Sequence, residues 1–248
     1  GSNIANIGLV LGVTALLFPL LVSSKTLKRE FPIMLTMMGL ALFLILDHEL
    51  SRYDGIILLS GIVALTIWLI RKAKTNRGYE PLTPEFDHEI PRIPLNTALG
   101  WTLLGLCLLL ISSHVLVYGA VNLAKYFGIS DLIIGLTFIA IGTSLPELAT
   151  SVMSAVKKEP DIAIGNIIGS NMFNLLAVLG IPAVIAPISL EQHVVQRDYA
   201  VMLGLSILLF LFAYGFKGQG RINRFEGAAL LAAYIAYMAY LYISVIHP

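Results

Sequence analysis

Charge is scarce in this chain. Only 12% of its 248 residues are Asp, Glu, Lys or Arg, where a soluble domain carries about a quarter. That scarcity excludes an ordinary water-exposed globule. The formal net charge is +1, so nothing in the overall balance points to nucleic acid. Cysteine is scarcer still. Cys107 stands alone in an apolar stretch, so no intrachain disulfide forms and the redox compartment is left open. Alternating apolar and polar residues are missing too. Outer-membrane strands alternate over about ten positions, so a barrel is excluded. No G-x-S-x-G elbow occurs, and "HELSR" at 48–52 puts Arg52 where a zinc-protease helix needs its second His. An intramembrane hydrolase loses its support.

What remains is long apolar runs. A bilayer core takes about 20 mostly apolar residues per helix. Eight blocks qualify, some of them short: roughly 3–22, 31–47, 55–71, 97–121, 131–156, 161–187, 198–216 and 226–246. In lipid only helices and closed barrels satisfy their own backbone. The pattern therefore predicts an all-α membrane protein with eight visible transmembrane helices. Its partner along most of its surface is the lipid bilayer, not nucleic acid.

Loop charges give an orientation. Alternate loops on one side hold Lys25, Lys28, Arg29, Arg71, Lys72, Lys74, Arg77, Arg92, Lys157, Lys158, Lys217, Arg221 and Arg224, against Arg52, Lys125 and Arg197 on the other. The basic side is cytoplasmic by the positive-inside rule. Both visible chain ends then face outward. The Pro-rich, charged stretch 72–96 reads as a cytoplasmic linker.

The chain also repeats itself. "GSNIANIGLVLGVTALLFPL" (1–20) and "GSNMFNLLAVLGIPAVIAPI" (169–188) share nine of twenty positions at an offset of 168. "SRYDGIILL" (51–59) echoes "NRFEGAALL" (223–231) at an offset of 172. The copies begin at the first and sixth spans. An odd separation makes them enter the membrane from opposite sides, which is the inverted repeat of secondary transporters. Two spans precede the second "GSN" and none precedes the first. The expectation is a ten-helix protein built five plus five, with two helices upstream of Gly1. Residues 1–71 are the remainder of the first repeat and 97–248 the second.

One carboxylate stands inside this apolar sequence. From Leu132 to Val156 the only charged residue is Glu147, in "GTSLPELATS" (142–151). A charge at mid-bilayer costs on the order of 3 kcal/mol, so it marks a functional site by default. Pro146 lacks an N–H and clashes four residues back, freeing the Gly142 carbonyl. Thr143 lies on the face of Glu147, Ser144 is adjacent, and Ser151 and Ser154 continue the polar stripe. Asn166, Ser170 and Asn174 form an amide–hydroxyl–amide stripe four residues apart, matched in part by Ser2 and Asn6. Gly165 and Gly169 are spaced to let another helix approach. Carboxylate, hydroxyl and carbonyl oxygens suit Na⁺ or Ca²⁺ and not zinc or copper.

These residues resemble the cation/Ca²⁺ exchanger superfamily, in particular the bacterial inner-membrane sodium/calcium antiporters. The pattern G-T-S-x-P-E followed by G-N-x-x-G-S-N-x-x-N stands at 142–174, and its second half stands at 1–6. The resemblance implies a multi-pass inner-membrane antiporter, not an enzyme, needing no cofactor and moving Na⁺ against Ca²⁺. It implies ion ligation by Glu147, by Thr143 and Ser144, by the Ala140 carbonyl, by Ser170 and Ser2, and by Asn174 and Asn6. Pro146 would be the helix break. It also implies a second Glu from the first repeat, which at an offset of 168 falls before Gly1. Some relatives carry Asp where this chain has Asn174, leaving one carboxylate fewer. Cation/proton exchange and a non-transporting membrane scaffold are the rival functions.

Overall fold

A chain in lipid has to pair its own N–H and C=O groups, and this one does so mostly with helices. The computed structural model describes residues 1–23, 26–75, 94–126, 134, 139–214 and 220–246. Most of the expected linker, and the start of the expected span at 131–156, lie outside the described residues. Helix α1 runs Ser2–Leu17. Helix α2 is Phe31–Leu44, α3 is Arg52–Thr75 and α4 is Leu95–Tyr126. The short α5 (Ala140–Thr143) is followed at once by α6 (Leu145–Val156). Then come α7 (Pro160–Ile185), α8 (Val194–Ala213) and α9 (Arg224–Ile246).

Among the described residues five helices are long and apolar enough to cross a membrane: α3, α4, α7, α8 and α9. Helix α1 is apolar but shorter, and α2 has 14 residues.

Two-residue strands join the helix ends. β1 (Leu20–Leu21) pairs antiparallel with β4 (Arg221–Ile222), and β2 (Glu49–Leu50) with β3 (Ile188–Ser189). The all-helical reading left no place for them. They form because helix ends brought side by side still carry unpaired backbone groups. Each ladder gains one further bond: Val22 N–H donates to the Gly220 carbonyl at 2.8 Å, and Leu190 N–H to the His48 carbonyl at 2.7 Å. Reciprocal side-chain caps start the helices that follow. Asp54 accepts from Ser51 N–H at 2.9 Å at the head of α3, and Glu226 accepts from Asn223 N–H at 2.7 Å at the head of α9.

The core lies between α1, α2, α7, α8 and α9. It is built from Ile4, Ile7, Leu11, Phe31, Met34, Ile164, Ile167, Leu176, Leu209 and Leu230. Two close crossings fix its geometry. A Cβ on Gly12 of α1 would lie 2.9 Å from Leu231 N and 3.1 Å from Gly227 O on α9. A Cβ on Gly55 of α3 would lie 2.8 Å from Gly180 O on α7. Only glycine lets backbones come so near. Gly165 and Gly169, the expected approach points, have nothing within 4 Å among the described residues. The helix that comes close crosses further along α7, at Gly180.

Candidate functional site

The site forms where α5 breaks from α6 and meets α1 and α7. Ser144 sits between the two short helices at φ −96°, ψ 0°, the sparsely allowed bridge region where many active-site residues occur. Pro146 stands in the first turn of α6, where its missing N–H costs nothing. The Gly142 carbonyl does not stay free: Ser113 of α4 donates its hydroxyl to it at 2.7 Å.

Glu147 follows on the first turn of α6. Ser170 donates its hydroxyl to Glu147 Oε1 at 2.9 Å. Asn6 donates Nδ2 to Ser170 Oγ at 3.1 Å and to Asn171 Oδ1 at 3.0 Å. A second chain runs beside it. Thr143 Oγ1 donates to the Ala140 carbonyl at 3.0 Å. That leaves Ser2 as the donor in its 3.0 Å contact with Thr143 Oγ1. A third joins Asn174 Nδ2 to Asn3 Oδ1 at 2.9 Å, while Asn3 Nδ2 donates to the Asn171 carbonyl at 3.2 Å. Asn6 and Asn174 each open a π-helical stretch, Asn6–Leu11 and Asn174–Val178. Such widened turns are frequent at functional sites.

All the residues singled out from the sequence therefore fall in one region. Glu147, Ser170 and Asn6 form one network; Ser2, Thr143 and Ala140 form another; Asn174 joins through Asn3. Among the described residues, Ser144 is buried with no partner for its hydroxyl. Glu147 Oε2 and Asn6 Oδ1 are likewise buried with no hydrogen-bond partner. Buried polar atoms are normally satisfied, so three orphaned oxygens in one region call for an explanation. Below them, Asn166 Nδ2 reaches Ser151 Oγ at 3.5 Å, and Ser151 is fully buried.

Three contributors were missed in the sequence. Asn3 and Asn171 belong to the repeated G-S-N motif and recur at the same offset of 168, which was a usable signal. Ser113 had none: its role depends on a partner 29 residues away on another helix. A cavity of about 240 Å³ opens beside Ser2, Asn3 and Asn174 and is also lined by Asp198 and Tyr199. Asp198 is held there by Arg197 at 2.6 Å and Tyr237 at 2.9 Å.

Comparison with known proteins gives the family. Residues 1–71 and 97–243 match the model of the sodium/calcium exchanger protein family. The chain is 46% identical over 245 residues to CaxA of Alkalimonas amylolytica, named an antiporter, covering 98% of this chain and 77% of that one. It is 42% identical over 245 residues to inner membrane protein YrbG of Escherichia coli, covering 98% and 75%. The solved structure of the sodium-calcium exchanger NCX_Mj, in a form without Na⁺ and Ca²⁺, superposes with a TM-score of 0.75 at 30% identity, covering 96% of this chain and 73% of that one. This chain belongs to the sodium/calcium exchanger protein family, a family of membrane transporters and not of enzymes.

Proposed function

We propose that this protein is a secondary active antiporter that exchanges Na⁺ for Ca²⁺ by alternating access, with both ions competing for the site around Glu147. The observation that carries the reading is the set of unpaired buried oxygens: Glu147 Oε2, Asn6 Oδ1 and Ser144 Oγ. Each is a hard oxygen donor of the kind Na⁺ and Ca²⁺ take. Together with the Ala140 carbonyl, the Thr143, Ser170 and Ser2 hydroxyls and Asn174, they form a mixed carboxylate, hydroxyl and carbonyl ligand set.

The charge supplies the coupling. An ionised carboxylate in an apolar bundle is costly to carry across the membrane. A bound cation offsets that cost, so the loaded site crosses and the bare one does not. Na⁺ moving inward down its gradient then drives Ca²⁺ outward.

The architecture in this proposal is an inverted repeat, residues 1–71 against 97–248, joined by 72–96. Contacts at the repeat offsets support it. Arg224 donates to the Leu17 carbonyl and Arg52 to the Ile185 carbonyl, each at 3.4 Å. The two ladders, the Gly12–Gly227 and Gly55–Gly180 crossings, and the paired π-helical stretches follow the same relation. The protein would lie in a bacterial inner membrane with both visible ends outward.

The test is Ca²⁺ uptake into proteoliposomes of the full-length protein under an imposed Na⁺ gradient, with Glu147→Gln as control. Na⁺-dependent uptake that disappears in the variant is the expected result. Uptake under a pH gradient and not a Na⁺ gradient would reassign the coupling to protons. No flux under either, from folded protein, would overturn the antiporter.

A further inference from the structure

An asparagine side chain has two ends of nearly equal size and opposite polarity, and only the oxygen end accepts a cation. A site that uses Asn6 and Asn174 therefore needs something to decide which end faces inward. We propose that Asn3 and Asn171 are positioning residues, a reciprocal amide clamp that turns the oxygens of Asn174 and Asn6 toward the ion; the inference rests on the functional reading above.

The direction of each amide follows from groups that can only accept. The Asn171 carbonyl takes Asn3 Nδ2 at 3.2 Å, so the oxygen end of Asn3 points the other way. That oxygen accepts Asn174 Nδ2 at 2.9 Å. Flipping Asn174 would set two oxygens against each other. Flipping Asn3 to relieve them would set its oxygen against the Asn171 carbonyl. Asn174 is thus held with its nitrogen occupied and its oxygen available.

The second chain ends on the Glu147 carboxylate, whose Oε1 is the acceptor. It takes the Ser170 hydroxyl at 2.9 Å, so Ser170 can only accept from Asn6, at 3.1 Å. Asn171 Oδ1 accepts from the same Asn6 nitrogen at 3.0 Å. Asn6 Oδ1 is left buried and without a partner among the described residues. The pair Asn6–Asn171 and the pair Asn174–Asn3 are related by the offset of 168 residues, so one arrangement is used twice. Asn3 and Asn171 are 6% and 2% exposed, and each touches a proposed ligand amide. Asn3 uses both ends of its amide in these bonds and Asn171 its oxygen, which makes them holders and not ligands.

Freed from its clamp, an ion-site amide presents NH₂ for part of the time. An ion then has to reverse the flip before binding, which lowers apparent affinity by the fraction in the competent orientation. The test uses a residue with no wrong end. A carboxylate at position 174 carries oxygen on both sides and needs no orienting partner. Ca²⁺ dissociation constants would be measured by calorimetry on the full-length protein for wild type, Asn3→Leu, Asn174→Asp and the double variant, with thermal melts as a check on folding.

Asn3→Leu should weaken Ca²⁺ binding about tenfold in the wild-type background, where the freed amide has to be turned oxygen-inward before the ion binds. In the Asn174→Asp background the same change should cost less than about twofold, because orientation no longer limits binding. Equal losses in both backgrounds, or no loss in wild type, would overturn the clamp. If Asn3→Leu does not fold, Asn3→Ala tested with Asn174→Asp asks the same question. Wild type that binds no Ca²⁺ would overturn the functional reading instead. Ca²⁺ binding that Glu147→Gln abolishes, with equal losses for Asn3→Leu in both backgrounds, would leave that reading standing and remove only the clamp.

Discussion

Helices α4 and α7 are both long and apolar, yet they lead opposite lives. Half of the most apolar window of α7 is buried, and none of the corresponding window of α4 is. Trp101, Leu103, Leu108, Ile111 and Val115 of α4 all face outward, while Ala163, Ile164, Ile167 and Ile168 of α7 are enclosed. Lipid is as apolar as leucine, so hydrophobicity does not sort helices into centre and edge. Small and polar residues do. Helix α7 carries Gly180, Asn166, Ser170, Asn171 and Asn174 along its length, and the other helices close around them. The contacts of α4 run along α5 and α6, through Ser113 and Val117, beside the site.

The comparison is broken most directly by removing packing from α7. Ile167 is 1% exposed. Ile167→Ala should destabilise the protein by about 2–5 kcal/mol, read as a lowered melting transition in detergent. A smaller effect is expected where α4 docks. A Cβ on Gly142 would lie 1.9 Å from Val117 Cγ2, and Val117 is β-branched and cannot swing aside freely. Gly142→Ala should cost about 1–3 kcal/mol by overpacking. Val117→Ala in the same protein should recover most of that loss. Losses that simply add would show that α4 is not held at this point.

Ser113→Ala tests the same contact from its polar side. It leaves the Gly142 carbonyl without the 2.7 Å hydroxyl donor, an expected cost of about 1–3 kcal/mol. Ser113→Thr keeps a hydroxyl and should lose less. If both substitutions behave alike, the bond is not what holds α4 against α5.

Much of the site was legible because its residues break the apolar pattern. Glu147, Ser170, Asn6 and Asn174 are polar where a span would be apolar, and the offset of 168 residues pairs the last two. What could not be read were partners. The Ser113–Gly142 and Asn3–Asn171 bonds cross between helices, at separations of 29 and 168 residues. Spacing within one helix gives a face, not what covers it. The same limit misplaced the close approach at Gly165 and Gly169, since the spacing of small residues does not say where along α7 another helix crosses. Pro146, read as the helix break, stands in the first turn of α6 just after Ser144 separates the two short helices; what spacing could not show is that Ser113 takes up the Gly142 carbonyl. The short ladders escaped notice because two-residue pairings have no periodicity to detect.

The end of α7 near Asp161 offers a gentler, pH-dependent test. Burial raises the Glu30 carboxyl above its ordinary range, Arg29 opposes the shift and Asp161 adds to it. The folded state therefore holds the Glu30 proton more tightly than the unfolded chain does. Stability from this group is fully present below the unfolded value and is lost as pH rises through the raised one. Glu30→Gln stays neutral throughout. It should melt slightly higher than wild type near pH ~7 and lose that advantage near pH ~4. A melting difference that does not vary with pH would show that Glu30 acts through packing alone.

The smallest expected effect decides the comparison most sharply. Leu108 on α4 is 58% exposed. Leu108→Ala removes the same class of side chain as Ile167→Ala but opens no cavity, because lipid chains refill the space. Both changes weaken the span's preference for the bilayer by a similar amount, so insertion cancels from the difference between them. What is left is packing, which α7 has and this face of α4 lacks. The variant should melt within about 0.5 kcal/mol of wild type, as surface substitutions do. A loss approaching that of Ile167→Ala would mean that protein, not lipid, covers this face of α4. The contrast between the two helices would then reflect what lies against them and not their sequences.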